Sequence, residues 1–193
     1  LAQEHGLANL RVAARYDDSL NGQRLGTRSD WPELSSILGK ALGHLDQTVM
    51  SSVFDKWIPV LENFAAGNRA IPFELTDIEQ AWLDDRDDIR IGVMNAWPPM
   101  DFVDSDGKVK GIGVDFLRAM NRRLGGKIAI VPGEWSRIYN DVREGRLDAL
   151  TGITPREDRL EHFNFTTNYV VVPHTIFART DEPYIANASQ LAG

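Results

Sequence analysis

Between Ile89 and Thr151 short apolar runs alternate with amphipathic runs that end on glycine, and this alternation constrains the fold more than any other feature. Ile89-Arg-Ile-Gly-Val-Met94 reads as a strand. Val114–Leu124 reads as a helix with Phe116, Leu117, Met120 and Leu124 inward, ended by Gly125-Gly126. Lys127–Val131 is a second strand. Trp135–Glu144 is a helix with Ile138, Tyr139 and Val142 on one side, and Gly145 closes it. Leu147–Thr151 is a third strand. Strands joined through helices run parallel, so the pattern predicts an α/β fold with a doubly wound, mostly parallel sheet. Tyr169–Arg179 reads as one further apolar strand, which Pro173 assigns to an edge or a crossover.

Ligands of such sheets sit beyond the carboxyl ends of the strands. Three features fall there: Trp97-Pro98-Pro99 after the first strand, the approach to Trp135, and Gly152-Ile-Thr154 ahead of Arg159. Gly152 is expected to break the third strand and a helix to start at once. Thr154 is the expected N-cap, Pro155 the first helical residue and Glu157 the reciprocal cap. A helix start at that point exposes backbone N–H groups at its positive end, and Arg159 adds a forked cation. The arrangement suits a carboxylate or another small anion. It equally suits a plain strand–helix turn with a surface arginine.

Toward the N-terminus, residues 9–16 and Leu25 to Arg28 are strand-like, with turn material at 17–22. Asp30 and Glu33 are the expected caps of a helix with the stripe Leu34, Ile37, Leu38, Ala41, Leu42 and Leu45. A second helix starts near Asp46, with Val49, Met50, Val53, Phe54 and Trp57 along one side. Residues 59–72 have no clear period and read as a connection. Thr76 and Glu79 form a capping box at the head of a short helix to Leu83.

Other chemistries find little support. A net charge of −7 argues against a nucleic-acid binder. The chain has no cysteine, so disulfides and thiolate metal sites are excluded, and its four histidines lack ligand spacing. Asp84-Asp85-Arg86-Asp87-Asp88 reads as a solvated turn. Asp104-Ser-Asp-Gly107 lacks the glutamate of a calcium loop. Gly111-Ile-Gly113 lacks the third glycine of a dinucleotide site. No apolar run approaches the roughly 18 residues that cross a bilayer, and no cofactor is implied. The first residue is Leu1, and a helix start near Ser189 is cut short, so the chain reads as a piece of a longer one.

The ordered set Trp97-Pro-Pro-Met100, Asp106-Gly107, Gly111-Ile-Gly-Val-Asp115, Arg123-Leu-Gly125, Trp135, Gly145-Arg-Leu-Asp-Ala149, Gly152-Ile-Thr154, Arg159, Phe165-Thr166 and Tyr169 resembles family 3 solute-binding proteins. The resemblance covers about residues 76–193 and is to lobe 1 of their type II, Venus-flytrap fold. Thr76–Trp82 and Leu150-Thr-Gly-Ile-Thr-Pro155 look most like the sensory versions, the often tandem periplasmic domains of sensor histidine kinases and diguanylate cyclases. Residues 1–58 look like the C-terminal closing segment of an upstream flytrap domain. That leaves 59–75 as linker, 76–188 as lobe 1 of a second domain and 189–193 as the start of its second lobe.

The resemblance implies a ligand-binding role for Arg159, Thr154, Gly152, Trp97 and Trp135. Arg159 would grip a ligand carboxylate, or else sit in a helix salt bridge. Capping competes with binding for the Thr154 oxygen. Trp97 is pocket wall or packs on Pro98, and Trp135 is a loop position or a core helix start. Asp115 would fix a loop or cap the helix rather than touch ligand. Met100 stands where the family usually has phenylalanine. The implied function is a non-enzymatic, small-molecule sensing module, periplasmic as part of an inner-membrane protein. The competing readings are a transporter's solute-binding component, the regulatory domain of a lytic transglycosylase, and a dehydratase built on the same fold.

Overall fold

The computed structural model describes residues 9–15, 21–58, 73–172 and 175–181. The turn expected at 17–20, the connection at 59–72, Pro173 and the helix start near Ser189 lie outside them. The chain forms two compact units, one from residues 1–23 and 170–193, the other from 24–169. In the smaller unit, β1 (Leu10–Arg15) pairs antiparallel with β11 (Thr175–Arg179), with a bulge between Val12 and Ala14. There also β10 (Val170–Val171) pairs antiparallel with Gly22 and Gln23, the first residues of β2 (Gly22–Arg28). The single strand expected over Tyr169–Arg179 is therefore two short strands, each with its own partner.

The larger unit is built on a parallel core. β3 (Ile89–Met94) lies between β7 (Ile128–Gly133) and β8 (Ala149–Ile153) and runs parallel to both. β2 runs antiparallel to β8 and to β9 (Phe163–Phe165), so the sheet is parallel at its centre and antiparallel on one flank. Period-two alternation sends Ile89, Ile91 and Val93, all 0% exposed, to one face of β3. Gly92 faces the other way, where a Cβ would meet Ile138 and Leu147 at 3.0 Å. Ile138, Val142, Leu147, Leu150, Ile153 and Phe163 form the core on that side.

The third strand is assigned from Ala149, two residues later than the expected Leu147, although the Asp148 amide already donates to the Arg90 carbonyl at 2.9 Å and its carbonyl accepts the Arg28 amide at 3.1 Å. The Asp148 carboxylate also accepts the Arg90 amide at 2.7 Å and the Arg90 guanidinium at 3.4 Å. Gly152 does not break the strand, which continues to Ile153.

After β3 the chain makes a small meander of β4 (Ala96–Trp97), β5 (Asp101–Val103) and β6 (Val109–Lys110), with a cis bond between Pro98 and Pro99. Asp104 makes the turn between the last two by accepting the Asp106 and Lys108 amides. It is a turn, as its spacing predicted.

Among the described residues of the unit there are six helices: α1 (Pro32–Gly43), α2 (Gln47–Trp57), α3 (Asp77–Asp84), α4 (Ile112–Arg123), α5 (Trp135–Arg143) and the single turn α6 (Glu157–Leu160). The α1 stripe from Leu34 to Leu45 is buried throughout. Asp30 is not its cap. The N-cap is Trp31, with Pro32 at the first helical position, and Asp30 forks onto the Arg28 guanidinium at 2.6 and 2.9 Å. Arg28 draws Asp30 back toward β2, away from the helix start. α2 starts next to Asp46 as expected, and Asp46 caps it by accepting the Val49 amide, although only Val53 and Phe54 of its stripe are buried.

Besides the β2 ladder, side chains of the helices fasten residues 24–58 to the rest of this unit. Glu79, in the expected capping box of α3, accepts from Ser36 Oγ and Lys40 Nζ of α1, each at 2.6 Å. The Arg86 guanidinium lies 3.7 Å from the Trp82 ring centroid and 4.7 Å from that of Trp31. Trp57 Nε1 and Lys56 Nζ, at the end of α2, both donate to Asp115 of α4. Asp115 therefore ties α2 to α4, rather than capping the helix or fixing a loop as expected.

Candidate ligand-binding site

The carboxyl ends of β3 and β8 bring Trp97 and Gly152 together. Gly152 has φ +67°, where a side chain is strained. A Cβ there would also stand 3.0 Å from both Trp97 Cζ3 and Met94 Cε. Glycine thus lets the tryptophan lie against the strand backbone, so the aromatic after the first strand flanks the turn after the third. The Gly152 amide donates to the Tyr169 hydroxyl at 3.0 Å. That donor, expected to be open, is already engaged.

Past Ile153 the chain runs extended through Thr154, Pro155 and Arg156, and α6 begins only at Glu157. The expected capping box is absent: Arg156 is the N-cap, and no side chain caps the turn. One helical turn has no sizeable dipole, so the helix-end argument for anion binding falls away. Arg159 takes over the Thr154 oxygens instead. Its Nη1 donates to the Thr154 carbonyl at 2.9 Å and to the hydroxyl at 3.3 Å, closing the loop around the guanidinium.

Trp135 and Tyr139, one turn apart on α5, place their ring centroids 5.5 and 6.0 Å from the Arg159 guanidinium carbon. Trp135 also packs at the edge of the apolar core, so the helix-start and site readings of this residue meet at one place. Nε of Arg159 is buried without a hydrogen-bond partner. The two nitrogens therefore differ: Nη1 is tied to the loop, and Nε makes no bond. Trp97 with Gly152 forms one contact, and Thr154, Arg159 and Trp135 form another. Both lie on the chain leaving β8.

A buried polar group behind this edge was not singled out from the sequence. Asp101, on β5, is 0% exposed and pairs in register with Trp97. Thr151 Oγ1 donates to its Oδ2 at 2.6 Å. Burial pushes the Asp101 carboxyl up to about 7, against the Thr151 hydroxyl and the Val114 amide, which both favour its charge. A Cβ on Gly113 would stand 2.5 Å from Asp101 Oδ1. The glycine pair that failed as a dinucleotide motif thus includes the residue that makes room for this carboxyl. The usable signal was a lone Asp after Met100, closely followed by Gly111-Ile-Gly113. Tyr169, which is buried, has its phenol pushed well above the usual range by burial and by the Asp101 charge, with the Gly152 amide opposing.

At the other end of β8, a cavity of about 290 Å³ is lined by Arg28, Asp30, Arg143, Glu144 and His162 among others. Its charges are largely neutralised within the chain, Arg28 by Asp30 and Glu144 by Arg146. Among the described residues no cluster of three His, Asp or Glu side chains is arranged to hold a metal. No described helix is long and apolar enough to cross a membrane.

The family model for bacterial extracellular solute-binding proteins, family 3, matches residues 89–191, just over half of the 193 residues. The chain belongs to this family. The sheet and its edge are thus those of one lobe of the family's flytrap fold. A probable amino-acid ABC transporter-binding protein of Haemophilus influenzae is 27% identical over 104 residues, 53% of this chain and 40% of that protein. The sensor protein EvgS of Escherichia coli O157:H7 is 24% identical over 167 residues, 86% of this chain and 14% of that one. Among solved structures, a histidine kinase sensor domain with similarity to periplasmic binding proteins is 32% identical over 40% of this chain and 34% of its own, with a TM-score of 0.38. The chain covers 40% of the Haemophilus protein and 42% of the L-cystine-binding protein TcyJ of Escherichia coli K12, less than half of either.

Proposed function

We propose that this family member is a sensing module, periplasmic as part of an inner-membrane signalling protein. In this reading it binds an amino-acid-like or other small carboxylate at the edge formed by Trp97, Gly152, Thr154, Arg159 and Trp135. The observation that carries the reading is the Arg159 guanidinium. It is tethered to the Thr154 loop through Nη1, stacked near Trp135, and left with Nε unpaired. A carboxylate matches a guanidinium in charge and fork geometry. The ligand would be shared with a second lobe, whose closure is favoured by the difference in affinity between open and closed forms. The module itself is not an enzyme in this reading, and any catalytic output lies elsewhere in the parent protein.

The sensor reading is preferred to a transporter component because of coverage. The alignment with EvgS takes in 86% of this chain, whereas that with the Haemophilus transporter-binding protein takes in 53%. The domain boundaries given above belong to the same proposal, in which residues 1–58 close an upstream domain, their part from residue 24 on packs with lobe 1, and 76–188 are lobe 1. Titration calorimetry on the full-length protein with L-arginine, L-glutamine and L-cystine tests it. Heat of binding that is lost in Arg159→Ala supports the site. A ligand bound equally well by that variant removes Arg159 from it.

A further inference from the structure

Asp101 is the buried ionisable group that the site described above leaves without a role. It stands in register with Trp97 on one side and receives the Thr151 hydroxyl on the other. These are neighbours of the two residues that meet at the edge, Trp97 and Gly152. The Thr151 hydroxyl has one proton and two acceptors within reach, Asp101 Oδ2 at 2.6 Å and the Gly92 carbonyl at 3.5 Å. A charged Asp101 takes that proton's hydrogen bond. A neutral Asp101 that carries its proton on Oδ2, the oxygen with an acceptor within reach, donates that O–H to Thr151 Oγ1, and the Thr151 proton then turns to Gly92. Asp101 Oδ1 has no hydrogen-bond partner, so Thr151 is the side chain through which the change is felt.

We propose that Asp101 is a positioning residue for the binding edge, whose gain or loss of a proton from solvent reverses the Asp101–Thr151 hydrogen bond and resets the Trp97–Gly152 contact. Thr151 leads directly into the strained Gly152, whose amide is held by Tyr169. The charged form of Asp101 acts on that phenol too. The charged side chains on the elements packed round Asp101 are engaged with one another. Lys110 pairs with Asp104, Asp115 with Lys56 and Arg118, and Arg90 with Asp148. The groups that bear on Asp101 itself are the Thr151 hydroxyl and the Val114 amide. Burial brings its titration to about pH 7, within the range where both forms coexist. A positioning role rests on the edge being the ligand site. The proton-driven reversal does not, and it is tested without ligand.

The test is an NMR pH titration of the 193-residue chain between about pH 5 and 9, following the amides of Thr151, Gly152 and Val114 and the Trp97 indole. All four signals are expected to move together with a midpoint near neutrality. Asp101→Asn abolishes that movement. Thr151→Val, which removes a hydrogen bond favouring the charge, raises the midpoint by about half a pH unit or more. Signals that stay flat in the unaltered chain overturn the proposal, as does an unchanged midpoint in Asp101→Asn. Should Asp101→Asn fail to fold, an unchanged midpoint in Thr151→Val overturns it alone. None of these outcomes depends on Arg159, so a failed ligand assignment and a failed proton switch remain distinguishable.

Discussion

Glu79 fastens α3 to α1 across the connection at 59–72, and Glu79→Gln is the sharpest test that residues 24–58 and 73–169 fold as one unit. The carboxylate accepts Ser36 Oγ at 2.6 Å, Lys40 Nζ at 2.6 Å, the Thr76 amide at 2.7 Å and Thr76 Oγ1 at 3.0 Å. Its side chain is 8% exposed, whereas that of Lys40 is 36% exposed. Hydrogen bonds to a charged group contribute about 1.5–3 kcal/mol each, and a helix cap about 1 kcal/mol. The Lys40 bond is discounted for solvent screening, and glutamine keeps one acceptor. The expected loss is therefore about 2–3 kcal/mol near pH 7, read by urea denaturation of the 193-residue chain.

The pH dependence has a definite sign. Burial alone would raise the Glu79 carboxyl, but Lys40, Ser36 and Thr76 overcome it and hold it at about 2, against 4.5 for the free group. Its charge therefore stabilises the fold above about pH 4.5, and that contribution fades as pH falls toward 2. The gap between the unaltered chain and Glu79→Gln should shrink over the same interval. A loss under about 0.5 kcal/mol near neutrality, or a gap that does not change with pH, refutes the clamp.

Gly113→Ala should cost about 1–3 kcal/mol in the same assay, because its Cβ would stand 2.5 Å from the Asp101 carboxylate. Gly39→Ala is the control: nothing lies within 4 Å of its Cβ, and alanine there should gain about 0.5–1 kcal/mol. Asp115→Asn weakens the anchor of α2, since Lys56 and Trp57 both donate to that carboxylate. Urea denaturation should show a loss of about 1–2 kcal/mol.

Much of this unit was legible because periodicity and capping are local. The α1 stripe, the helix start near Asp46, the Thr76–Glu79 box and the glycines ending α4 and α5 all depend on neighbours within one or two turns. The two capping errors have a common cause in arginines close in sequence that compete for the cap's oxygens. Arg28 drew Asp30 away from α1, and Arg159 took the Thr154 oxygens that a cap would have used. A capping motif predicts a helix start only while no guanidinium competes for its oxygens. Asp101 was hidden for another reason. Its environment comes from β8, α4 and Tyr169, which only the tertiary fold brings together.

The central claim is that the Arg159 loop holds a carboxylate at the end of a parallel sheet. The most direct measurement is calorimetric titration of the full-length protein with L-amino acids, comparing the unaltered sequence with Arg159→Ala. Loss of a charge-paired hydrogen bond of about 3 kcal/mol weakens affinity roughly 150-fold, and the account predicts a drop of that order. An amino acid bound by both proteins with affinities equal to within about a factor of two would contradict it.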